Sequence, residues 1–506
     1  MDLQTTTSEY KGFGQGQSTI VGDGNRNYTR CIKMTDIKHS ITLEGIRSAL
    51  RWTQKSSKVF PKSMKYLGIS EGFHDAAVAL VNNNQIQYAT HAERITRVKN
   101  DRWLPQKLKD IPCDTSIFYE DTKIKNLRRD MYGQSPTSNG IGCDKHALHH
   151  ESHMAAGLYT APFKDDVVCV VIDAIGEFDT ASIWKDGLKV WSREYPWSLG
   201  LFYSAITQRI GLKPNEDEYI TMGMAAYGTP CIDMLNEVNK NHHKGFRRRK
   251  WFWHTVEDIA ASAQMQLEHE LNTIMIKARE YGSNLVYGGG VALNCVANSK
   301  IRPMFDNMWI FPNPGDAGSA LGCVLAHTKQ HVKFKDTFLG TNINREINPR
   351  EVVKELINNK VAGVANGKAE FGPRALGNRS LLGDVRYDIK DTVNTIKRRQ
   401  KFRPFAPAIL EEYVDEYFEG YSNEYMQFVS NAKHDYSSVT HVDGTARVQV
   451  VRKDCTSALR PILEEYYDIT GVPMLLNTSL NIKGQPMVDT WNDAWDFQTK
   501  YNVKVF

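Results

Sequence analysis

The sequence predicts an α/β fold whose core unit is duplicated, and three features of the chain indicate it. Residues 66–70 and 76–81 are apolar runs of strand length, separated by the polar turn EGFHD. The same order of apolar strand, acidic glycine-containing turn and strand recurs at 167–184. Stretches with helical spacing of apolar residues follow these copies, and 256–281 is the clearest of them.

The later part of the chain continues this pattern. Residues 285–301 read as a buried strand, a glycine turn and a helix, and 308–326 repeat that arrangement. A polar stretch at 340–349 is the best domain boundary, after which a helix begins near Glu351 and an apolar strand covers 361–365. The predicted units are an N-terminal extension, a first domain and a second domain, at 1–64, 65–345 and 346–506.

Length and composition are those of a multidomain soluble enzyme. The chain has 506 residues, of which 41% are hydrophobic and 24% charged. Its longest strongly apolar run, 167–172, is far shorter than a membrane span, and no basic-then-apolar leader opens the chain. Its 8 cysteines include no CxxC pair, which argues against a zinc knuckle or a disulfide scaffold. We therefore expect a cytoplasmic protein without a membrane segment.

The net positive charge of the chain lies in its first 64 residues. Residues 1–64 contain 10 Lys and Arg against 5 Asp and Glu, whereas the remainder has 53 of each sign. Such an arm can contact an anionic partner, and a solvated leader explains the charge equally well. Within this extension, the apolar spacing at 41–54 predicts a short helix.

The histidine-rich motif ALHHESHMAAG predicts a metal site. His149 and His153 are four residues apart, so on a helix they share one face and can bind one ion. A carboxylate from Asp316, in a turn flanked by glycines, is the candidate third ligand. Two imidazoles and a carboxylate suit Fe²⁺, Mn²⁺ or Zn²⁺ better than Ca²⁺. The alternative is a helix start that happens to be rich in histidine.

Two further patterns indicate phosphate recognition. A strand, the glycines 288–290 and a helix follow one another, so the turn amides can receive a phosphate or nucleoside, although the turn is neither a Walker A loop nor a GxGxxG fingerprint. Arginines and lysines also gather in turns rich in proline and glycine in the last third of the chain, where apolar side chains alternate with them. This favours an anion-binding pocket over a solvated basic face. The basic residues are Arg374, Arg379, Lys397, Arg399 and Arg403.

Eight motifs in a fixed order carry a resemblance to a known family. They are FHDAAVAL, HHESHMAAG, VIDAIGEFDTASIW, GGGVALNCVANSKI, NPGDAGSALG, EFGPRALGNRSLLGDVR, KFRPFAPAIL and TGVPMLLNTSLNIKGQP. This set resembles the NodU/CmcH family of O-carbamoyltransferases and spans residues 66–486. It leaves the N-terminal extension uncovered.

The resemblance implies a fold and a reaction. The first domain would be a duplicated ASKHA unit (actin-like ATPase or RNase H-like), and the second a YrdC-like α/β unit. The second would convert carbamoyl phosphate and ATP, with Mg²⁺, into carbamoyl adenylate. The first would hold a divalent metal, Fe²⁺ before Mn²⁺ or Zn²⁺, and would transfer the carbamoyl group to an acceptor hydroxyl. The oligomeric state stays open, a homodimer included.

The resemblance also assigns roles to individual residues. His74 would be the general base, oriented by Asp75, and His149, His153 and Asp316 would bind the metal. The nucleotide would lie against Gly288, Gly289, Gly290, Asn294, Asp173 and Gly176. The residues assigned to carbamoyl phosphate and ATP are Arg374, Lys397, Arg399, Arg403, Asn477 and Ser479.

The resemblance also implies the kinds of acceptor, which in the family include sugars, small alcohols and, in phage-type relatives, 5-hydroxymethylcytosine in DNA. Of these we predict 5-hydroxymethylcytosine in DNA. The segment KGFRRRKWFWH places cations beside aromatic side chains, a pattern suited to phosphates and to an exposed base. A sugar or small secondary metabolite is the first alternative. Threonylcarbamoylation of tRNA and a non-catalytic nucleic-acid-binding role are the others. The residues expected to contact DNA are Arg247, Arg248, Arg249, Lys250 and Trp251.

Overall fold

The computed structural model describes residues 64–506 except 235, 236, 238, 239, 241 and 248. The predicted extension, apart from Met64, and the predicted helix at 41–54 therefore lie outside the described residues. The described part of the chain belongs to one compact unit. None of its described helices is long and apolar enough to cross a membrane.

The first sheet consists of an antiparallel meander of three strands followed by two parallel strands. Strand β1 pairs antiparallel with β2 and parallel with β4, which gives the order β3-β2-β1-β4-β5. The predicted strand–turn–strand at 66–81 is confirmed. The strands are β1 (Lys65–Ser70), β2 (Ala77–Asn82), β3 (Gln85–His91), β4 (Thr115–Phe118) and β5 (Lys145–His146). The helices of this part are α1 (Ala92–Thr96), α2 (Gln106–Lys109), α3 (Thr122–Met131) and α4 (His149–Leu158).

The second sheet repeats the topology of the first. Its order β8-β7-β6-β9-β10 has the same connectivity, with an antiparallel meander followed by two parallel strands. The predicted duplication is thereby confirmed. The strands are β6 (Val167–Ile172), β7 (Asp179–Lys185), β8 (Leu188–Glu194), β9 (Asn284–Gly288) and β10 (Asn307–Ile310). The helices are α5 (Leu199–Arg209), α6 (Glu218–Met224), α7 (Val256–Arg279), α8 (Cys295–Ile301) and α9 (Ser319–Thr328).

The C-terminal part is a mixed five-stranded sheet with helices on both faces. Its order is β12-β14-β20-β15-β19, a two-stranded ladder joins β11 to β13, and β16, β17 and β18 form a small third sheet. The strands are β11 (Phe338–Ile343), β12 (Val361–Ala365), β13 (Gly367–Glu370), β14 (Arg379–Gly383), β15 (Ala406–Leu410), β16 (Phe418–Glu419), β17 (Ser430–Ala432), β18 (Thr445–Ala446), β19 (Gln449–Val451) and β20 (Met474–Ser479). The helices are α10 (Pro349–Asn359), α11 (Lys390–Ile396), α12 (Val414–Tyr417), α13 (Leu459–Thr470) and α14 (Trp491–Tyr501).

Close packing of α9 holds the two copies of the duplicated unit together. A Cβ on Gly322 of α9 would lie 1.9 Å from the carbonyl oxygen of Ser152 in α4. A Cβ on Gly68 of β1 would lie 1.7 Å from the carbonyl oxygen of Ala320, again in α9. Only glycine permits these approaches. The result is that α4 and the turn before α9 meet in the cleft between the two sheets.

Candidate functional site

The cleft between the duplicated sheets holds a cluster of two histidines and two aspartates. His149 and His153 project from one face of α4, as their spacing predicts. Asp173 follows β6, and Asp316 opens the short turn before α9. All four side chains are buried, with exposed fractions of 2%, 2%, 8% and 6%. The structure therefore brings the three predicted metal ligands together and adds a fourth residue, Asp173, which the resemblance assigned to the nucleotide.

The ligand atoms of this cluster converge on one point. His149 Nε2 and His153 Nε2 lie 3.2 Å apart, and they are 2.9 and 3.0 Å from Asp173 Oδ2. Asp316 Oδ1 is 3.3 Å from His153 Nε2. An ion with bonds of about 2.1 Å holds its ligand atoms at about this spacing. Two imidazole nitrogens and two carboxylate oxygens suit Fe²⁺, Mn²⁺ or Zn²⁺.

Electrostatics also favour a cation at this point. Burial lowers the pKa of His153, but hydrogen bonds to Asp173 and Asp316 and their charges outweigh it and raise the value to about 10. Burial raises the pKa of Asp173, but its hydrogen bonds with His149 and His153 and the charges of both histidines outweigh burial and hold the value well below its usual range. Two buried carboxylates therefore need positive charge between them, which a divalent ion supplies.

Surrounding polar groups fix the orientation of the two histidines. Glu177 accepts the backbone N–H of His149 at 3.0 Å, and Ser319 Oγ lies 3.2 Å from His153 Nδ1. His149 Nδ1 is buried without a hydrogen-bond partner, and Glu120 Oε2 lies 3.9 Å from it. Outer groups of this kind set the tautomer of metal-binding histidines. Two neighbouring histidines lie outside the cluster: His150 Nδ1 is buried 2.7 Å from Ser182 Oγ, and His146 is exposed.

His74 and Asp75 form the pair that the sequence predicts. His74 Nδ1 lies 3.0 Å from Asp75 Oδ2 in the turn between β1 and β2. Burial lowers the pKa of His74, but the hydrogen bond to Asp75 and the charges of Asp75, Asp316 and Asp173 raise it to about 9. His74 therefore lies within the electrostatic reach of the metal cluster, on the rim of the same cleft.

Asp173 connects the glycine turn to the metal cluster. Its Oδ1 accepts the N–H of Ala174 at 2.7 Å and that of Gly290 at 3.3 Å, which leaves Oδ2 facing the histidines. Gly289 has φ +90°, and a Cβ there would lie 2.2 Å from the carbonyl oxygen of Ile172. Glycine is therefore required where β9 leaves its sheet.

Two other residues assigned to the nucleotide have structural contacts. Gly176 packs on α4, where a Cβ would lie 3.2 Å from His149 Cβ. Asn294 caps α8 by accepting the N–H of Ala297 at 3.0 Å, and it exchanges hydrogen bonds with Gln264 at 2.9 and 3.1 Å. The side-chain amide of Asn294 is thus engaged within the protein, and its nucleotide role stays a prediction.

Four arginines of the C-terminal part form a second polar site. Arg374, Arg399 and Arg403 were predicted, and Arg447 joins them. Among the described residues, no carboxylate forms an ion pair with any of the four. Burial and the charge of Arg447 lower the pKa of Arg374 to about 9, and burial and the charge of Arg403 lower that of Arg399. Repulsion of this kind is relieved when an anion binds.

The remaining predicted phosphate ligands lie beside this arginine cluster. Lys397 Nζ donates to the carbonyl oxygens of Ser479 and Asn481, the latter at 2.9 Å, and lies 3.3 Å from Ser479 Oγ. Asn477 Nδ2 donates to the carbonyl oxygen of Ala375 at 3.1 Å, while its Oδ1 is buried without a partner.

Arg379, by contrast, has a structural position. It is fully buried, and its guanidinium donates to backbone carbonyl oxygens that include that of Asp489 at 2.9 Å. The guanidinium therefore braces the end of the sheet, and the sequence analysis was wrong to group Arg379 with the pocket-lining basic residues.

Helix α6 links the two sites. Tyr219 stacks with Arg403, whose Cζ lies 4.6 Å from the ring centroid. Burial raises the pKa of the neighbouring Glu218, and the hydrogen bond from Ser204 and the charge of His74 oppose that rise. Tyr219 of this helix thus contacts the arginine cluster, and the charge of His74 acts on the neighbouring Glu218.

The segment predicted to contact DNA is placed differently from the prediction. Trp251 is 3% exposed and packs on Phe246 at 5.0 Å between ring centroids, so it has no surface on which a base can stack. Lys250 is engaged too, with Nζ 2.6 Å from Glu237 Oε2. Arg247 and Arg249 are exposed, and Arg248 lies outside the described residues.

The aromatic side chains that this segment exposes are the next two along the chain. Phe252 is 75% exposed and Trp253 is 62% exposed. Trp251 therefore exposes no ring, the exposed aromatic rings of this segment are those of Phe252 and Trp253, and contact with DNA stays a prediction.

Sequence comparison places the chain in a family. It matches "Carbamoyltransferase C-terminus" over residues 353–506 and "Carbamoyltransferase N-terminus" over 143–256 and 252–325. It is 30% identical to nodulation protein NolNO of Sinorhizobium fredii over 83% of this chain and 76% of that protein. The chain belongs to the carbamoyltransferase family. The predicted resemblance is confirmed, and the protein is a carbamoyltransferase.

Another relative and a solved structure match a smaller share of this chain. Nodulation protein NolO of Bradyrhizobium diazoefficiens is 31% identical over 68% of this chain and 75% of that protein. The activator of 2-hydroxyisocaproyl-CoA dehydratase from Clostridium difficile aligns over 54% of this chain and 99% of its own, with a TM-score of 0.37 and 13% identity.

Proposed function

We propose that this carbamoyltransferase works in two steps through carbamoyl adenylate. Carbamoyl phosphate is first hydrolysed to carbamate and phosphate. A carbamate oxygen then attacks the α-phosphorus of ATP, and pyrophosphate leaves. In the second step an acceptor hydroxyl attacks the carbamoyl carbon, its proton passes to a base, and AMP leaves.

The observation that carries this proposal is the arginine cluster, which forms no ion pair with a carboxylate in the part of the chain that the structure describes. Carbamoyl phosphate and ATP are both rich in phosphate, and arginine binds phosphate oxygens in a bidentate manner. The charges of Arg403 and Arg447 act on Arg374 and Arg399 in the free protein, and a bound polyphosphate would relieve this repulsion. We assign this step to a C-terminal unit of the YrdC-like type.

We assign the transfer step to the duplicated unit, as an ASKHA-type domain. In this proposal His74 accepts the proton of the acceptor hydroxyl, and the contact with Asp75 supports an oriented ring. His149, His153, Asp173 and Asp316 would hold the divalent ion, Fe²⁺ before Mn²⁺ or Zn²⁺, which supplies Lewis-acid polarisation when bound. Mg²⁺ accompanies ATP. Because the side chains at the base of the cleft are buried, water has little access to the activated carbamoyl group.

We further propose that the acceptor is the hydroxymethyl group of 5-hydroxymethylcytosine in DNA. The support is the exposed set of Arg247, Arg249, Phe252 and Trp253, because cations can contact phosphates while the aromatic rings stack on an extruded base. A sugar or small alcohol is the competing acceptor, and only the assay separates the two.

The test uses two variants that separate the steps. Full-length protein receives carbamoyl phosphate, ATP, Mg²⁺ and Fe²⁺ or Mn²⁺, with hydroxymethylated duplex DNA or a panel of sugars as acceptor. We expect Arg403→Gln to lose pyrophosphate release and His149→Ala to release pyrophosphate without carbamoylated product. The matched control Arg350→Gln changes an arginine whose side chain is 83% exposed and keeps both activities.

The outcomes distinguish the two parts of the proposal. A carbamoyl group on DNA, found by mass spectrometry of released nucleosides, supports the DNA acceptor. A product on a sugar alone refutes that acceptor and retains the adenylate route. Carbamoyl transfer that proceeds without ATP contradicts the route itself.

A further inference from the structure

A second cluster of potential metal ligands lies outside both sites, where the chain before α7 meets the first turn of that helix. Cys231, His254 and Asp258 each offer one ligand atom, and these atoms lie within 4.8 Å of one another. Cys231 Sγ is 3.3 Å from His254 Nδ1. A tetrahedral Zn²⁺ with bonds of about 2.0 to 2.3 Å separates its ligand atoms by about 3.5 Å. The sulfur and the nitrogen therefore already have suitable spacing.

Backbone contacts hold two of these ligands in place. The N–H of Cys231 donates to Ser262 Oγ at 2.8 Å, and the N–H of Thr229 donates to Asp258 Oδ1 at 2.8 Å. Directly before Thr229, Gly228 packs so closely on the start of α7 that a Cβ would lie 2.1 Å from the carbonyl oxygen of Glu257. The segment before α7 is thus fixed to the start of the helix, which lowers the cost of assembling the ligand set.

We propose that Cys231, His254 and Asp258 form a zinc-binding site. A thiolate, an imidazole and a carboxylate are ligands that Zn²⁺ takes in proteins, and three protein ligands leave the fourth position to water. All three residues are half-buried, so an ion reaches them from solvent. Binding displaces the thiol proton of Cys231, which leaves to solvent.

The position of this site gives it a structural role. Cys231 and His254 stand at the two ends of a segment whose exposed residues include Arg247, Phe252 and Trp253. An ion between its ends closes this segment into a loop and fixes the loop to α7. The zinc site stabilises this surface whether or not an acceptor binds there.

Cobalt provides a readout specific to this site. Full-length protein stripped of metal is titrated with Co²⁺, and the near-ultraviolet thiolate-to-cobalt charge-transfer absorption is recorded. The histidine–aspartate cluster in the cleft contains no sulfur, so it binds Co²⁺ without this absorption. We expect the band in wild type and in Cys113→Ser, which removes another half-buried thiol, and its loss in Cys231→Ser.

Further measurements make the result decisive. We expect Cys231→Ser to bind one Co²⁺ equivalent fewer than Cys113→Ser, and Zn²⁺ to raise Tm less in Cys231→Ser than in Cys113→Ser. His254→Gln serves as an independent variant, and we expect it to weaken Co²⁺ binding at the thiolate. A wild-type protein without the band at saturating Co²⁺, or a band that survives Cys231→Ser, would overturn the proposal.

Discussion

Replacement of Arg447 by methionine is expected to stabilise the free protein while weakening its binding of phosphate ligands. Arg447 Nε is buried without a hydrogen-bond partner, and its charge is the second cause, after burial, that lowers the pKa of Arg374 from 12.5 to about 9. At about 1.4 kcal/mol per pKa unit, burial and repulsion together disfavour the charged form of Arg374 by at most about 5 kcal/mol. The share of Arg447 is roughly 1 kcal/mol after solvent screening.

Two measurements test this explanation, because stability is expected to rise while affinity for pyrophosphate is expected to fall. Urea unfolding should show the free energy of unfolding of Arg447→Met raised by roughly 1 kcal/mol. Calorimetric titration with pyrophosphate should show affinity reduced by about tenfold, the loss of one charge-assisted contact. Arg350→Met, at an exposed arginine, should change neither quantity. An Arg447→Met protein that is less stable and binds pyrophosphate as wild type does would refute the account of this cluster.

Three other predictions concern the cleft. Asp75→Asn removes the negative charge and weakens the hydrogen bond that together raise the pKa of His74. The acidic limb of kcat/KM should therefore move to lower pH by about 1 unit, and an unmoved limb excludes His74 as the base. Glu120→Gln removes the carboxylate that lies 3.9 Å from His149 Nδ1. Competition with a chelator should then show that the protein binds its metal about tenfold more weakly. An unchanged affinity would contradict the role of Glu120 in orienting His149. Gly176→Ala places a Cβ 3.2 Å from the Cβ of His149. Urea unfolding should show a free energy of unfolding lower by about 1 kcal/mol. An unchanged free energy of unfolding would mean that α4 shifts to admit the methyl group.

Much of the fold follows from local pattern in the sequence. The strands at 66–81 and 167–184 are short apolar runs on either side of polar turns, and both are present as β1–β2 and β6–β7. The helix predicted at 256–281 is α7, Val256–Arg279, where Thr255 caps the first turn. These elements depend on the spacing of neighbouring residues, which the sequence displays directly.

Parts of the candidate sites depend on tertiary contacts and were therefore missed. His149 and His153 share a face by helical spacing, but Asp173 joins them from a different strand end, and only the assembled sheets bring it there. Arg447 has one nearby glycine, Gly444, and no proline or second basic residue beside it, so the local signal that marked Arg374 is weak there. Trp251 sits in a basic, aromatic run that looks exposed, yet packing on Phe246 buries it.

The central claim, adenylate formation in the arginine cluster and transfer in the histidine–aspartate cleft, is tested most directly by mass spectrometry of the nucleotides formed by His149→Ala. The variant would be incubated with carbamoyl phosphate, ATP and Mg²⁺ and quenched rapidly. The account predicts carbamoyl adenylate in equal amount to pyrophosphate, with no carbamoylated acceptor. If the wild-type protein carbamoylates an acceptor without releasing pyrophosphate, that result would contradict the account.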